Sequence, residues 1–395
     1  MKVGIVGGSV AGLAAAAELA SLDLEVSVFE RSTADLTDRG AGISLDPAVA
    51  RQIGLGRGVE IFGRVIIGTS GRELWRRRAA KVVTSWSEVY TALRKRVNGE
   101  WIQPGRRVTK CLEEDGGSRL LFADGSEAVF DLVLGADGVG SVVRDAVAPG
   151  FAPEYCGYVA VRGMVPEDAL PPPSAPLREL ADNPGLINCY GPRTHLVAYW
   201  APRGEGRALN WMWYRNTPAD ELNDILRDES GFAHRWSLPP GQVRPEWEQA
   251  LLGEMREIFP ECVWRAAEAA PTISQQAIFR GVPETFSRGR ILLVGDAAAV
   301  AVPHIGAGVS LAVQDATELS SRWNPADIDA SIAAWSAERR ATAFRILEAA
   351  AALGRSVQQE DHDWESWRPE HFESWWNGIT AGHGLYFEKP HPVDR

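Results

Sequence analysis

The stretch GDAAAVAVPHIGAG, Gly295 to Gly308, sets an acid, an imidazole and paired glycines close together. Asp296 follows the apolar run ILLV, which places it at the carboxyl end of a strand, where its carboxylate can accept hydrogen bonds from ligand hydroxyls. His304 carries the one side chain of the stretch that ordinarily titrates near neutrality, so it is the candidate general base. Gly306, Ala307 and Gly308 are small enough for the backbone to approach a flat ligand. A helix beginning near Gly308 would aim the N–H groups of Val309 and Ser310, and the positive end of its dipole, at negative charge on that ligand.

A second glycine turn lies at the other end of the chain. GGSVAG, Gly7 to Gly12, follows the β-branched run KVGIV and opens an alanine-rich helical stretch over residues 9–22. That context is the one a dinucleotide fingerprint requires. Gly7 permits the tight turn and Gly12 lets the helix approach the strand. Ser9 stands where the motif has its middle glycine, yet Gly8, Ser9, Val10 and Ala11 still offer backbone donors to a diphosphate at the helix N-terminus. Glu30, followed by Arg31, closes the second strand twenty-three positions after Gly7, where an acid accepts hydrogen bonds from a ribose. A carboxylate there repels a 2′-phosphate, which favours FAD or NAD over NADP at this fixed site.

Two later segments choose between those cofactors. GADGVGSVVR contains Asp137, Ser141 and Arg144, and the Gly295–Gly308 stretch contains Asp296, Ala297, Pro303 and the glycine turn. A simple nicotinamide dehydrogenase needs neither segment. A flavoprotein needs both, because the ribityl chain and the tricyclic ring extend beyond the adenosine half of the site. FAD is therefore the expected cofactor.

The elements that must position these residues follow from pattern. The β-α-β start predicts a parallel sheet with a crossover helix, so the fold class is α/β with a Rossmann-like FAD-binding domain. Asp124-Gly125 marks a hairpin, and DLVLGADG reads as a strand ending in a turn. Residues 151–274 change to strand-like pieces (GYVAVRGMV, HLVAYWAP, RALNWMWYRN) between proline-rich turns, which predicts a mixed or antiparallel substrate sheet. The β–helix style resumes near Arg290 and ends in C-terminal helices over 309–321 and 327–353. The expected division is 1–150 with 275–355 for the cofactor, 151–274 for the substrate, and a Trp-rich extension over 356–395. Alternation puts Asn210, Met212 and Tyr214 on one face, and His195, Val197 and Tyr199 on one face of their own strand. Tyr199, Met212, Tyr214 and Arg162 are the candidate substrate contacts. Trp364, Trp367, Trp375 and Trp376 predict docking of the extension onto the body or onto a second subunit.

Composition narrows the function classes. A net charge of −11 argues against nucleic-acid binding. The four cysteines form no C-x-x-C pair, so neither a disulfide framework nor a metal site is expected. No apolar run is long enough to span a bilayer, and the opening residues enter a strand directly rather than forming a signal peptide. A cytoplasmic protein is expected, with room for a homodimer. Trp75-Arg76-Arg77-Arg78 is expected to be a solvated face.

The trio GGSVAG…ER, GADGxxSxxR and GDAA…P…GAG resembles the class A flavoprotein monooxygenases, the p-hydroxybenzoate-hydroxylase type, over roughly the first 355 residues. The resemblance extends to GAGI (Gly40 to Ile43), which makes Gly42 and Ile43 candidate flavin neighbours. Further stretches, among them YCGYVAVRG, LNWMWYRN and the late GLYFEKP, are similar to the dihydroxypyridine hydroxylases within that family. Many relatives carry a histidine at Ala299 and an arginine at Trp86. Val161 stands where the subgroup often has tryptophan, which leaves the substrate open. The resemblance implies that NADH or NADPH reduces bound FAD and departs. It also implies that O₂ adds to the reduced ring, and that the C4a-hydroperoxide transfers OH to an electron-rich aromatic or heteroaromatic ring. Alternatives are the same chemistry on a natural-product intermediate, or a flavin-binding redox sensor without turnover.

Overall fold

Val3 and Ile5 have no exposed surface, as befits a β-branched strand covered on both faces. The computed structural model describes residues 1–34, 42–183 and 185–381. Gly40 and Ala41 of the GAGI stretch and the whole of GLYFEKP lie outside the described residues. In the first sheet the strand order is Ser287–Arg288, Ile291–Leu293, Leu132–Gly135, Lys2–Val6, Glu25–Glu30, Ile102–Pro104. Val3 pairs with Leu132 and with Val26, and all pairings are parallel except that of the Ser287 edge strand. Helix Val10–Leu19 buries Leu13, Ala14, Ala15 and Ala16. Gly295–Ala297 forms a short 3₁₀ turn directly after the Ile291–Leu293 strand, and helix Gly308–Ser321 then crosses the first helix. The Asp124-Gly125 turn joins strands Gly117–Phe122 and Glu127–Phe130 of a small three-stranded sheet.

The second sheet has nine strands. The expectation confined it to residues 151–274, and the structure corrects that boundary. Strands Gly42–Leu45, Val59–Ile67 and Glu73–Ser85 belong to this sheet, as does Ile273–Arg280. The join is a parallel pairing of Gly185–Cys189 with Gly63–Ile67, a contact between segments some 120 positions apart that no local pattern announces. One face of the sheet carries Leu209, Trp211, Trp213 and Trp200. It is covered by helices Ala175–Asp182, Pro245–Ile258 and Glu261–Glu268. The opposite face carries Tyr158, Ala160, Met212 and Tyr214 and packs against the cofactor domain.

Residues 356–381 of the C-terminal extension dock on the chain's own body. Trp364, Phe372 and Trp376 are buried, with Phe372 stacked on Trp75 at 6.0 Å. Trp75 is therefore core rather than solvated face, because the tail supplies its cover. Arg76 and Arg77 pair with Glu73 and Glu373.

Candidate functional site

The glycine turn is shaped by contacts that no side chain tolerates. A Cβ on Gly12 would lie 1.8 Å from the Gly7 carbonyl oxygen, and one on Gly7, at φ +110°, would lie 2.3 Å from that of Ala136. Gly8 donates its N–H to Glu30 Oε2 at 2.9 Å, and Ser32 donates to Oε1 at 2.8 Å. Each carboxylate oxygen keeps a lone pair for a ribose hydroxyl. Ser9 sits at the N-cap without using its hydroxyl as a cap, and it lines the cleft.

That cleft encloses about 510 Å³. Gly7, Ser9, Val10, Ala11, Glu30 and Arg31 form one end of it, and Asp137, Asp296, Gly308 and Val309 reach it from the other motifs. Gly8 and Gly12 stand behind this lining and shape the loop. Trp86, Arg107 and Val142 also line the wall; Trp86 stacks on Tyr90 at 5.0 Å. Three segments, more than a hundred residues apart, thus meet on one groove that the N-terminal residues of helices Val10–Leu19 and Gly308–Ser321 both line.

Arg144 holds two of the segments together. It is buried and donates to the carbonyls of Asp296 at 3.3 Å and Ala297 at 3.2 Å, and to that of Val139. Ala297 therefore contributes to the corner through its carbonyl. Asp137 is committed to its own turn, accepting from Ser141, from Val142 N–H at 2.7 Å and from Val143 N–H at 3.3 Å. Asp296 faces the open cleft with protein on every other side. That enclosure pushes its carboxyl up to about 6, against the pull of Arg144.

The loop before Gly308 packs on the sheet face that carries Asn210 and Tyr214, which is buried against the cofactor domain. Gly42 donates to Asn210 Oδ1 at 2.9 Å, and a Cβ there would lie 2.6 Å from Tyr199 Cε2. Ile43 packs beside it against the main core. Gly306, at φ +64°, rests on Ser44, and Lys81 Nζ holds the Ile305 carbonyl at 3.1 Å. These contacts fix the loop Pro303–Gly308 and bury Ala307 and Ser310. His304 is thereby brought against the sheet. Its ring centroid lies 4.6 Å from that of Tyr214 and 5.1 Å from that of His195, and Tyr214 stacks on His195 at 4.4 Å.

Several polar atoms of this face are buried without partners among the described residues: Arg162 Nε, Tyr214 Oη, His195 Nδ1 and His304 Nδ1. Such atoms are costly unless a ligand or water meets them. Burial drives His304 down to about 3 and His195 well below its ordinary value, and pushes Tyr199 and Tyr214 up. His304 was expected to titrate near neutrality; enclosure by protein removes that property. Its Nε2 is 2.8 Å from the Tyr158 hydroxyl. Tyr158 was not among the sequence candidates. Alternation along Tyr158, Ala160 and Arg162 carried the signal.

A doubly wound cofactor domain, a fingerprint with its acid, and two further motifs converging on one groove are features this chain shares with the class A FAD-dependent aromatic hydroxylases, which it resembles. It is an FAD-dependent monooxygenase with a reduced nicotinamide as co-substrate. Two family models match, one described as FAD binding domain-like over residues 155–263 and one as FAD binding domain over 258–349. The chain is 28% identical over 362 residues to 2,6-dihydroxypyridine 3-monooxygenase of Paenarthrobacter nicotinovorans, covering 85% of this chain and 86% of that one. It is 27% identical over 401 residues to salicylate hydroxylase of Pseudomonas putida, covering 91% and 87%. The solved 2,6-dihydroxypyridine-3-hydroxylase from Arthrobacter nicotinovorans superposes with a TM-score of 0.86 at 24% identity, covering 100% and 98%. Klebsiella pneumoniae HpxO, solved with FAD and uric acid, gives 0.74 at 22% identity over 97% and 94%.

Proposed function

We propose that the protein hydroxylates an electron-rich, anionic aromatic or heteroaromatic ring bound between the Pro303–Gly308 loop and the sheet face that carries Arg162, Met212 and Tyr214. The observation that carries this reading is the packing of that loop on the sheet face, His304 against Tyr214 at 4.6 Å, where Arg162 Nε, Tyr214 Oη and His304 Nδ1 are buried without partners among the described residues. FAD, when bound, supplies the redox chemistry that activates O₂ at the expense of NADH or NADPH. The glycine turn and Glu30 hold its diphosphate and ribose. Asp296 would hold its ribityl hydroxyls, and the N–H groups at the start of helix Gly308–Ser321 would stabilise negative charge on its ring.

Arg162 has no carboxylate partner among the described residues and holds an anionic substituent of the substrate. Tyr199 and Tyr214 stand close enough to Arg162 to feel its charge and provide phenol donors. Met212 supplies apolar contact beside them. His304 accepts the proton of a ring hydroxyl at Nδ1, which raises the electron density of the ring. Residues 151–280, with the strands from 42–85, form the substrate layer.

The relatives named above act on 2,6-dihydroxypyridine and salicylate, which supports a small hydroxylated ring as the substrate. A natural-product intermediate of the same chemistry would meet the same groups. The test is to purify the protein and record its flavin absorbance. Hydroxylated pyridines, phenols and indoles, each with and without a carboxylate, are then screened for accelerated NAD(P)H consumption. A product heavier by one oxygen is expected from a carboxylated member, and Arg162→Met should raise its KM at least 10-fold. A yellow protein whose reduction no ring compound accelerates would identify a redox sensor instead.

A further inference from the structure

Val197 and Met212 are half-buried in mid-strand, although their same-face neighbours His195, Tyr199, Asn210 and Tyr214 are buried. The two are partners across adjacent strands. The register extends their row, with Asn188 opposite Val197 and Arg162 opposite Met212. Cross-strand partners share a face, so Arg162 and Asn188 flank an apolar floor made by Val197 and Met212. Three strand spacings of about 4.8 Å set these ends about 14 Å apart at the backbone. The rows on either side, Tyr190, His195 and Tyr214 on one and Tyr199 and Asn210 on the other, wall this patch.

Both ends of the row carry an unmet polar group. Arg162 Nε has no partner among the described residues, and neither has Asn188 Nδ2, on a side chain 2% exposed. Arg64 decides which end of the Asn188 amide is left over. Its Nη1 donates to Asn188 Oδ1 at 3.0 Å. A guanidinium has no acceptor, so the amide cannot be turned round. Arg64 lies on the strand beyond Asn188, on the opposite side from Val197, which turns Nδ2 toward the patch. Trp376 of the C-terminal extension lies 4.4 Å from the Arg64 guanidinium and holds it in place. A buried donor without a partner is a cost that an acceptor on a ligand removes.

We propose that Asn188 is a specificity-determining residue, donating its amide N–H to an acceptor on the substrate across the ring from the anionic group that Arg162 holds. This rests on the reading that an anionic ring binds on this sheet face. It narrows the substrate class to rings with an acidic group at one end and, opposite it, a carbonyl oxygen or an unprotonated ring nitrogen. A ring that presents only an N–H donor there meets the Asn188 amide donor to donor. Arg64 and Trp376 are positioning residues, since they act through the amide.

The experiment titrates flavin-loaded protein with benzoate, 4-acetylbenzoate and 4-aminobenzoate, and reads binding from the flavin absorbance. The three probes share the carboxylate and differ in what they offer Asn188: nothing, an acceptor, or a donor. The parent should bind 4-acetylbenzoate at least about 10-fold more tightly than either of the others. Asn188→Leu should shrink the preference over benzoate to under about 3-fold. Asn188→Asp keeps an acceptor for Arg64 and serves if the leucine variant does not fold. It replaces the donor with an acceptor, so it should reverse the order in favour of 4-aminobenzoate. An acetyl preference missing from the parent, or retained in a folded variant, would overturn the role of Asn188 and leave the anionic-ring reading standing. Failure of all three carboxylates to bind the flavin-loaded parent would overturn that reading, and the role of Asn188 with it.

Discussion

At the scale of single residues, the packing of the Pro303–Gly308 loop on the nine-stranded sheet is unusual in burying imidazoles without giving each a full set of partners. His195 is 3% exposed, with its ring stacked on Tyr214 and its Nδ1 unpartnered. Burial first, then the proximity of His304 and Arg64, keeps it neutral in the fold. An unfolded chain would protonate it below about pH 6.5. The unfolded state therefore binds more protons than the native state, and stability falls as pH drops from that point, by roughly 1 kcal/mol per pH unit for each imidazole. His304 contributes in the same direction, down to about pH 3. His195→Gln is expected to lose less melting temperature between pH 7 and 5 than the parent. Equal losses in thermal melts would place the acid sensitivity elsewhere.

At the scale of elements, the corner that presents Asp296 is held by helices rather than by its own turn. Asp315, on helix Gly308–Ser321, accepts the Gly295 N–H at 2.9 Å and Arg339 Nε at 2.7 Å, and both charged side chains are about 95% buried. Trp335, one turn before Arg339, donates to the Asp315 carbonyl at 2.9 Å. Burial raises the Asp315 carboxyl and Arg339 opposes it. Removing one partner of a buried pair strands the other charge, at about 3–5 kcal/mol. Asp315→Asn should lower the melting temperature by several degrees and loosen FAD, although Asp315 lies outside the groove lining. Joint replacement with Arg339→Met should recover part of the loss. A double variant no better than the single one would show that the pair is not coupled.

At the scale of the whole molecule, the tail closes one end of the sheet through aromatic packing. Trp364 is 3% exposed and lies 5.0 Å from Tyr190, which in turn meets His195 edge-on at 5.7 Å. Arg64 sits over Trp376 at 4.4 Å, and Glu365 accepts from Ser70 and Arg72 on the hairpin beneath. Trp364→Ala should cost about 3–5 kcal/mol by opening a cavity under this stack. Denaturant titration reads that loss directly. A change under 1 kcal/mol would mean that the extension adds little to the fold.

How much of this was legible follows from the range of each interaction. The glycine turn, Glu30 at the strand end and the Asp124-Gly125 hairpin are decided within about thirty residues, so spacing alone carries them. Alternation likewise separates Met212 and Tyr214 from Trp211 and Trp213 without any knowledge of the fold. Which face turns toward the cofactor domain depends on three helices from elsewhere in the chain covering the other one. The entry of residues 42–85 into the nine-stranded sheet rests on a distant parallel pairing. The low affinity of His304 for a second proton, and its bond to Tyr158, arise from enclosure by segments up to 150 positions away. Short-range geometry is written in neighbouring residues; burial and desolvation are properties of everything that surrounds a group, and exist only once the chain has closed.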